Sequence, residues 1–355
     1  MKVAIIGASL TGLACALEFE KLGIIPDLYE RDATVGWIWP SVSFWPNCFY
    51  KSQGDIRKHL REDYGIDIKP LGECKNILMK SPKQRVNIDG FLGYYVVRGK
   101  GKESIENQLL NSLRKAPLHL NQNADCKELS KKYDWVVAAT GNDLVARELN
   151  LWEDIGLVRV IGGVALESFN PDSSTIYFNT EYAGTGYGRV TPFNSTQAMV
   201  ALYIINCTES DMLKSYSKFL EQEGLANFQF LYKVIPEPFT TGRVKAFTKG
   251  NILLAGRAAG LTERLIGVGG PECMISGVLA ARSIVQGLDY DALLKPLRDH
   301  IENISAFRDT VNTLDNDGFD KLLASINIPG VKQLIYKTPI NFADIAGSIL
   351  KRFNR

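Results

Sequence analysis

The sequence lacks an excess of charge of either sign. Its 355 residues contain 41 Lys and Arg against 39 Asp and Glu, which leaves a formal net charge of +2. A nucleic-acid-binding protein usually carries a basic patch or a clear positive charge. Hydrophobic residues make up 45% of the chain and charged residues 23%, as in ordinary globular proteins. The composition therefore excludes disordered and collagen-like classes and predicts no nucleic-acid partner.

Histidine is scarce, and the cysteines are scattered. The chain has 3 His and 6 Cys, and no two cysteines form a C-x-x-C pair, so we expect no metal site. Single cysteines in a chain of this length are typical of reduced, intracellular thiols. His59, His119 and His300 lie in segments predicted to be surface helix or loop. No acid–base triad is apparent, and the sequence identifies no catalytic residue.

Long apolar runs are also missing. No stretch reaches the roughly 18 uninterrupted apolar residues that a membrane span requires. The chain opens on the strand-like run 3–6 and a glycine turn, unlike a secretory signal, so we expect a cytoplasmic protein. The segment 337–355 places apolar residues among basic ones. Peripheral contact with a membrane is one interpretation of it, and packing on its own domain is the favoured one.

A glycine-rich turn follows the first strand. Residues 7–12 read Gly-Ala-Ser-Leu-Thr-Gly, a G-x-G-x-x-G fingerprint with Ser9 at the second glycine. Gly7 permits a tight turn, and Gly12 permits close packing of the following helix on the strand. The N–H groups and the positive dipole end of that helix, at Leu10 and Thr11, suit a pyrophosphate, and the Ser9 hydroxyl is a further donor. The turn predicts a dinucleotide site.

An acidic residue ends the second strand. Glu30 follows the strand-like run 27–29, where a carboxylate can accept hydrogen bonds from both hydroxyls of a ribose. The same carboxylate would repel a 2′-phosphate, which favours the adenosine half of FAD or NAD over NADP. Arg31 is included among the residues expected at this end of the cofactor.

A second glycine region lies late in the chain. A buried strand at 252–255 runs into Gly256, and a stretch with Gly267 and Gly269 precedes a helix rich in small residues. An NAD-dependent dehydrogenase has no need of a second site of this kind. FAD is long enough to be bound at both ends, with its ribityl chain and isoalloxazine ring at the late segment. The pair of motifs therefore favours FAD.

With these motifs the chain resembles the FAD-dependent oxidoreductases that have the p-hydroxybenzoate-hydroxylase-type fold, and among them the geranylgeranyl reductase family. That family carries G-D-A-A-G, then N-P-x-x-G-E-G-I, then A-x-x-S-G-x-x-A-A. The corresponding segments here are 256–260, 267–270 and 276–281. Looser matches are Arg98 after a central strand, the Ala139-Thr140-Gly141 turn, and 183–192, which is similar to the family's P-G-G-Y-x-W-x-F-P strand.

The resemblance implies an α/β fold with a Rossmann-like FAD-binding domain, a β-sheet substrate domain and C-terminal helices. We assign 1–60, 95–150 and 246–290 to the FAD-binding domain, 61–94 and 151–245 to the substrate domain, and 291–355 to the helical region. The residues expected to bind FAD are Gly7, Ser9, Leu10, Thr11, Gly12, Glu30, Arg31, Arg98, Thr140, Gly141, Gly256, Arg257, Ala258, Gly267 and Gly269. The residues expected to bind substrate are Trp45, Tyr187 and Arg189.

The chain departs from the family at several of these positions. Arg257 stands where the family's aspartate accepts a hydrogen bond from a ribityl hydroxyl, and a guanidinium has no acceptor. Arg257 is expected instead to reach the flavin pyrophosphate or to alter the redox potential by its charge. Arg264 and Val268 replace a proline and a glutamate, and Arg189 replaces the tryptophan of the substrate strand.

Residues 36–50 contain three of the five tryptophans, in the loop that this fold brings towards the flavin. They are interpreted either as the lining for a large apolar or planar substrate or as core packing. Cys48, within this stretch, is interpreted as an inert buried thiol in preference to a redox group.

Three functions remain open from the sequence. The leading hypothesis is an FAD-dependent oxidoreductase that acts on an apolar small molecule and reduces isoprenoid double bonds by hydride transfer from flavin N5. The first alternative is a flavin monooxygenase that hydroxylates an aromatic substrate or a partner side chain. The second is a binding protein on the same scaffold without redox activity. The electron donor is expected to be NAD(P)H bound transiently, or a separate reductase or ferredoxin.

Overall fold

The computed structural model describes residues 1–36, 39–205 and 207–353. The strands in these ranges are Val3–Ile6 (β1), Asp27–Tyr29 (β2), Ser41–Pro46 (β3), Gly72–Lys80 (β4), Arg85–Arg98 (β5), Leu118–His119 (β6), Trp135–Ala138 (β7), Trp152–Leu166 (β8), Ser173–Tyr177 (β9), Tyr187–Pro192 (β10), Gln197–Ile205 (β11), Gln229–Val234 (β12), Phe239–Val244 (β13), Thr248–Lys249 (β14) and Ile252–Leu254 (β15). The helices are Leu10–Lys21 (α1), Ile56–Tyr64 (α2), Ile105–Ser112 (α3), Cys126–Ser130 (α4), Leu144–Glu148 (α5), Thr180–Ala183 (α6), Glu209–Gln222 (α7), Gly270–Gln286 (α8), Tyr290–Val311 (α9), Asn316–Ile326 (α10), Val331–Lys337 (α11) and Phe342–Phe353 (α12).

The smaller sheet has the order β14-β15-β7-β1-β2-β6 and is parallel except for the β14–β15 pair. Its central strands are short apolar runs that are buried on both faces, as parallel strands between helices usually are. Ile5 of β1 pairs with Leu28 of β2 on one side and with Val137 of β7 on the other. The βαβ start predicted from the sequence is therefore the centre of this sheet.

The larger sheet has the order β12-β8-β11-β10-β9-β4-β5-β3, and β13 also pairs with β8. Its pairs are antiparallel except for β4 and β9. Two segments that we assigned to the FAD-binding domain, 41–46 and 95–98, are strands of this larger sheet. The domain boundaries themselves remain a prediction.

Small residues bring α8 onto α1. A Cβ atom added at Gly277 of α8 would lie 2.2 Å from the carbonyl oxygen of Thr11 in α1. Ser276 accepts a hydrogen bond from the backbone N–H of Gly256 at 2.8 Å. The late small-residue helix thereby holds the late glycine turn directly against the N-terminal one.

The C-terminal helices pack on the body of the protein. A Cβ atom at Gly347 of α12 would lie 2.0 Å from the carbonyl oxygen of Asn303 in α9, so the two helices are in close contact. The other face of α12 leaves Ile345 and Ile349 about half exposed. Packing on its own domain is therefore observed, and peripheral membrane contact remains a prediction. In the described ranges, no helix combines the length and apolar character that crossing a bilayer would need.

One histidine prediction is wrong. His300 in α9 is only 7% exposed, and its Nδ1 lies 2.9 Å from a carboxylate oxygen of Asp344. It is buried because α12, which carries Asp344, covers α9, and this contact cannot be read from the pattern of α9 alone. His59 and His119 are partly exposed, as expected.

Candidate active site

An open cavity lies where the two sheets meet and contains about 1550 Å³ of empty space, its mouth included. The N-terminal end of α1 and the loop 262–270 line one side of it. Residues from β3, β10 and β11 of the larger sheet line the other side. The cavity thus joins the two glycine motifs to the sheet that the sequence assigns to substrate.

The N-terminal glycine turn is held by close backbone contacts. Gly7 has a φ of +100°, and a Cβ atom there would lie 2.4 Å from the carbonyl oxygen of Ala139. A Cβ at Gly12 would lie 1.9 Å from the carbonyl oxygen of Gly7. Only glycine fits either position, as the fingerprint predicts.

The end of α1 is available to an anion. Ser9 occupies the N-cap position, but its side chain does not cap the helix. Its hydroxyl donates instead to the carbonyl oxygen of Ala139 at 3.1 Å, which differs from the phosphate contact that we expected of it. Because no side chain in the described ranges caps the first-turn N–H groups, these groups and the helix dipole are available to a phosphate at Leu10 and Thr11.

Glu30 closes the other side of the turn. Its carboxylate accepts hydrogen bonds from the backbone N–H of Ala8 at 2.9 Å and of Asp32 at 3.0 Å. Arg31 lies 3.8 Å from Asp32, and its side chain is 64% exposed. Neither Glu30 nor Arg31 belongs to the wall of the large cavity. A contact of Glu30 with ribose remains a prediction.

The late glycine motif meets the first one at Thr11. Gly256 has a φ of +60°, and a Cβ atom there would lie 2.1 Å from Oγ1 of Thr11. Gly267, with a φ of +81°, and Gly269 line the same cavity as Thr11. The fold therefore brings the two motifs to one site.

The eighteen predicted site residues fall into two groups. The cavity wall contains Ser9, Leu10, Thr11, Trp45, Arg98, Gly141, Tyr187, Arg189, Arg257, Gly267 and Gly269. Behind the wall, or at the Glu30 side of the turn, lie Gly7, Gly12, Glu30, Arg31, Thr140, Gly256 and Ala258.

Two arginines approach the cofactor end of the cavity. Arg98 donates through Nε to Glu106 at 2.6 Å, and Glu106 is buried. The guanidinium carbon of Arg257 lies 4.2 Å from the centre of the Phe239 ring, and burial lowers the pKa of Arg257 to about 10. Within the described ranges no carboxylate forms an ion pair with Arg257.

These residues fit the pyrophosphate of FAD. Arg257 is a partly buried cation in the cavity wall without an ion-pair partner in the described part of the chain, although the charge of Asp143 acts on it, and a desolvated cation is costly without a close counter-charge. The uncapped end of α1 adds N–H donors on the same wall. A diphosphate placed between them would supply the missing negative charge.

Glu263 is a functional candidate that our sequence reasoning missed. It is 2% exposed, and its carboxylate accepts hydrogen bonds from the backbone N–H groups of Leu265, Ile266 and Val268 at 2.5, 3.1 and 2.5 Å. One side chain therefore shapes the loop that carries Gly267 and Gly269. The only signal in the sequence was an acidic residue in an otherwise apolar, glycine-containing segment.

Glu263 is expected to make stability depend on pH. Burial raises its pKa from the ordinary value to about 7, against the opposing effect of the three N–H donors. The folded state therefore binds this proton more tightly than the unfolded state does. The resulting stabilisation is complete below the unfolded pKa and is lost as the pH rises through about 7.

Urea unfolding of the wild type and of Glu263→Gln between pH 5 and 8 measures this effect. The stability of the wild type relative to the variant should fall by up to about 1.4 kcal/mol per pH unit below pH 7 and then level off. Glu237→Gln, at an exposed position, controls for the loss of one carboxylate. Parallel pH profiles for wild type and Glu263→Gln would show that the buried carboxyl does not titrate in this range.

The substrate side of the cavity is aromatic. Tyr187 and Tyr203 stack with their ring centres 4.6 Å apart, and the Tyr187 hydroxyl donates to the carbonyl oxygen of Ile266 at 2.7 Å. Trp45 is 1% exposed and packs against Gly270 at the start of α8. Arg189 donates through Nη2 to the carbonyl oxygen of Val42 at 2.9 Å. The three residues predicted to bind substrate are thus brought together beside the late glycine loop.

The aromatic stretch 36–50 contributes to both the cavity wall and the core, and a contact with substrate remains a prediction. Trp39, Phe44 and Trp45 line the cavity, and Phe49 and Tyr50 are buried outside its wall. Trp37 and Ile38 lie outside the described residues. Cys48 is not in the wall, and burial raises its pKa to about 12, as expected of an inert thiol.

Part of the chain is similar in sequence to a known protein. The digeranylgeranylglycerophospholipid reductase 2 of Methanothermobacter thermautotrophicus is 29% identical over 178 residues, which are 46% of this chain and 45% of that protein. The chain thus matches less than half of that relative's length. No family model matches the chain.

Two solved structures match over nearly the whole chain. A geranylgeranyl bacteriochlorophyll reductase-like protein from Thermoplasma acidophilum has a TM-score of 0.74 at 15% identity, with 99% of this chain and 98% of that one covered. A flavin-dependent brominase has a TM-score of 0.67 at 13% identity, with 100% and 98% covered. These similarities confirm the resemblance drawn from the motifs: the chain has the geranylgeranyl-reductase-like fold of the FAD-dependent oxidoreductases.

Proposed function

We propose that the chain is an FAD-dependent oxidoreductase that reduces double bonds of an isoprenoid or similar apolar molecule. The observation that carries this proposal is the single cavity in which the end of α1, the loop with Gly267 and Gly269, and Arg257 meet, and Arg257 has no ion pair among the described residues. When bound there, the flavin supplies the two-electron chemistry that the side chains lack. The partial identity with a reductase of isoprenoid lipids supports this choice of reaction.

The residues of the chain then have separate tasks. Leu10, Thr11 and Arg257 bind the pyrophosphate, and Glu30 binds the ribose. Glu263 keeps the loop 264–268 in the shape that receives the ring system. The aromatic wall at Tyr187 and Trp45 excludes water and positions an apolar substrate.

The electron donor is proposed to act from outside this site. The sequence contains one complete dinucleotide fingerprint, so NAD(P)H would bind transiently, or a separate reductase or ferredoxin would deliver the electrons. The half-exposed Ile345 and Ile349 of α12 are the place at which the proposed peripheral membrane contact would occur.

The visible absorption spectrum of the purified protein tests the proposal, recorded before and after addition of FAD and then of dithionite. A flavin spectrum that bleaches, followed by anaerobic reoxidation on addition of a prenyl lipid, is the expected result. Reoxidation that requires oxygen, with oxygen incorporated into product, would favour the monooxygenase. Failure to bind FAD in excess would contradict both enzymes and favour a binding protein.

A further inference from the structure

The charge on the cavity wall is strongly one-sided. Arginine occurs there five times, at Arg98, Arg189, Arg257, Arg264 and Arg308, against one carboxylate in the described part of the wall, Glu263. Arg98 forms an ion pair with Glu106, and Arg264 with Asp309. The other three have no carboxylate within ion-pair distance in the described ranges. A cavity with several uncompensated cations is suited to anionic ligands.

The three arginines without an ion pair lie in two parts of the cavity wall. Arg257 is in contact with Phe239 and close to Arg98, at the cofactor end. Arg189 and Arg308 lie around Tyr187: burial raises the pKa of that phenol, and both guanidinium charges oppose the shift. The charges of Glu263 and Asp309 act on Arg308, so a pyrophosphate bound at the cofactor end leaves Arg189 as the wall cation of this second pair that has no ion pair in the described ranges.

Arg189 is the member of this pair that a ligand can reach. Arg308 is 5% exposed, and its two terminal nitrogens donate to the carbonyl oxygens of Leu265 and Thr185. Arg189 is only partly buried and uses Nη2 for the Val42 carbonyl and the Tyr203 hydroxyl. Its Nε is buried without a hydrogen-bond partner among the described residues, and its Nη1, for which no hydrogen bond is seen there, is the donor left for a ligand.

The surroundings of Arg189 define the rest of the ligand. Tyr187 and Tyr203 are stacked beside it, and Arg189 lies 5.6 Å from the centre of the Tyr203 ring. Val158, Val160 and Phe44 complete an apolar wall. A molecule that fits here has an apolar or planar body and one anionic end.

We propose that Arg189 is a specificity-determining residue that binds an anionic group, a carboxylate or a phosphate, on the substrate. This inference rests on the proposed function for the identity of the site as a substrate site. A guanidinium binds such oxyanions with charge-assisted hydrogen bonds. The substrate is then an amphiphilic anion, and a fully apolar molecule is the weaker ligand.

Matched pairs of probes test the proposal on the FAD-loaded protein. Geranyl diphosphate is compared with geraniol, and benzoate with benzyl alcohol, with binding followed by the change in flavin absorption. In each pair the body is the same and only the anion differs. We expect at least one anion to bind at least tenfold more tightly than its alcohol, and the pair that shows this preference identifies phosphate or carboxylate as the group bound.

Two substitutions connect the preference to Arg189. In Arg189→Gln the anion preference should be lost while the affinity for the alcohols changes less than twofold, and Arg189→Lys should keep part of the preference. Arg243→Gln removes one positive charge from an exposed position outside the cavity wall. It should change neither the anion preference nor the affinity for the alcohols. Unchanged anion preference in Arg189→Gln, or no preference in the wild type, would overturn the proposal.

A failure of the oxidoreductase proposal can be distinguished from a failure of the proposal for Arg189. A protein without a flavin spectrum contradicts the oxidoreductase proposal. The fluorescence of Trp39 and Trp45, both in the wall, then follows the same titrations without flavin, so Arg189 is tested in either case. A variant that fails to fold is recognised by circular dichroism, and Arg189→Lys then supplies the comparison.

Discussion

Replacing Gly12 by alanine is expected to abolish FAD binding. The added Cβ would lie 1.9 Å from the carbonyl oxygen of Gly7 and 3.3 Å from Cγ2 of Ile5. Contact at that distance is impossible, so either the turn or the start of α1 has to move. Because the pyrophosphate is expected to bind to that turn and that helix end, FAD affinity should fall by two orders of magnitude or more, equivalent to about 3 kcal/mol.

Gly101→Ala is the matched control, because no atom lies within 4 Å of a Cβ at Gly101 and its φ is not positive. FAD titration monitored by flavin fluorescence measures both variants, and circular dichroism with urea unfolding measures their folding. The substitution at Gly12 also strains the fold, by about 1–3 kcal/mol for an overpacked site. A folded Gly12→Ala protein with wild-type FAD affinity would show that the cofactor does not bind at this turn.

Arg257→Met is expected to weaken FAD binding and to stabilise the protein without FAD. The side chain is partly buried, desolvation lowers its pKa to about 10, and in the described part of the chain no carboxylate forms an ion pair with it. Loss of charge-assisted bonds to the pyrophosphate should reduce FAD affinity roughly 10- to 100-fold. Removal of a partly buried cation that has no ion pair in the described ranges should raise the free energy of unfolding of the flavin-free protein by up to about 1 kcal/mol.

The opposite signs of the two effects distinguish a binding role of Arg257 from a structural one. Methionine keeps the contact with Phe239, because a thioether also packs on an aromatic ring. Arg257→Lys retains a cation and should recover part of the FAD affinity. Arg243→Met, on the same strand as Phe239 but 68% exposed, should leave both quantities unchanged. A variant at Arg257 that loses stability and keeps its affinity for FAD would assign the arginine to the fold.

Local patterns predicted several helices and strands well. The sequence predicts a helix over 55–65 that ends at a glycine, and the structure has Ile56–Tyr64 with Gly65 at a φ of +63°. It predicts strands near 158–164 and 186–191, which fall within or overlap Trp152–Leu166 and Tyr187–Pro192. Such patterns are readable because hydrophobic period and glycine turns are properties of a few neighbouring residues.

Contacts between residues that are far apart in the chain were harder to predict from the sequence. Strand β3, Ser41–Pro46, pairs with the end of β5 and therefore belongs to the larger sheet, although its aromatic sequence suggested a loop near the flavin. Glu263 could be identified as a functional candidate only from the three backbone N–H groups that donate to it in the structure. His300 became buried only when α12 covered it. None of these contacts is marked by a local period.

The sequence by itself predicted a dinucleotide site at the first glycine turn and a second glycine site for the same ligand, and the structure brings the two turns to one cavity. The reason is steric: Gly7, Gly12 and Gly256 occupy positions that no other residue fits. Only the tertiary structure decided which arginines of the cavity wall form an ion pair with a carboxylate. Arg98 pairs with Glu106, which is close to it in the chain, whereas Arg189 donates to the carbonyl oxygen of Val42 in a distant strand and has no carboxylate partner in the described ranges. The charge left over in the cavity, and with it the proposed anionic substrate, is a property of the folded chain.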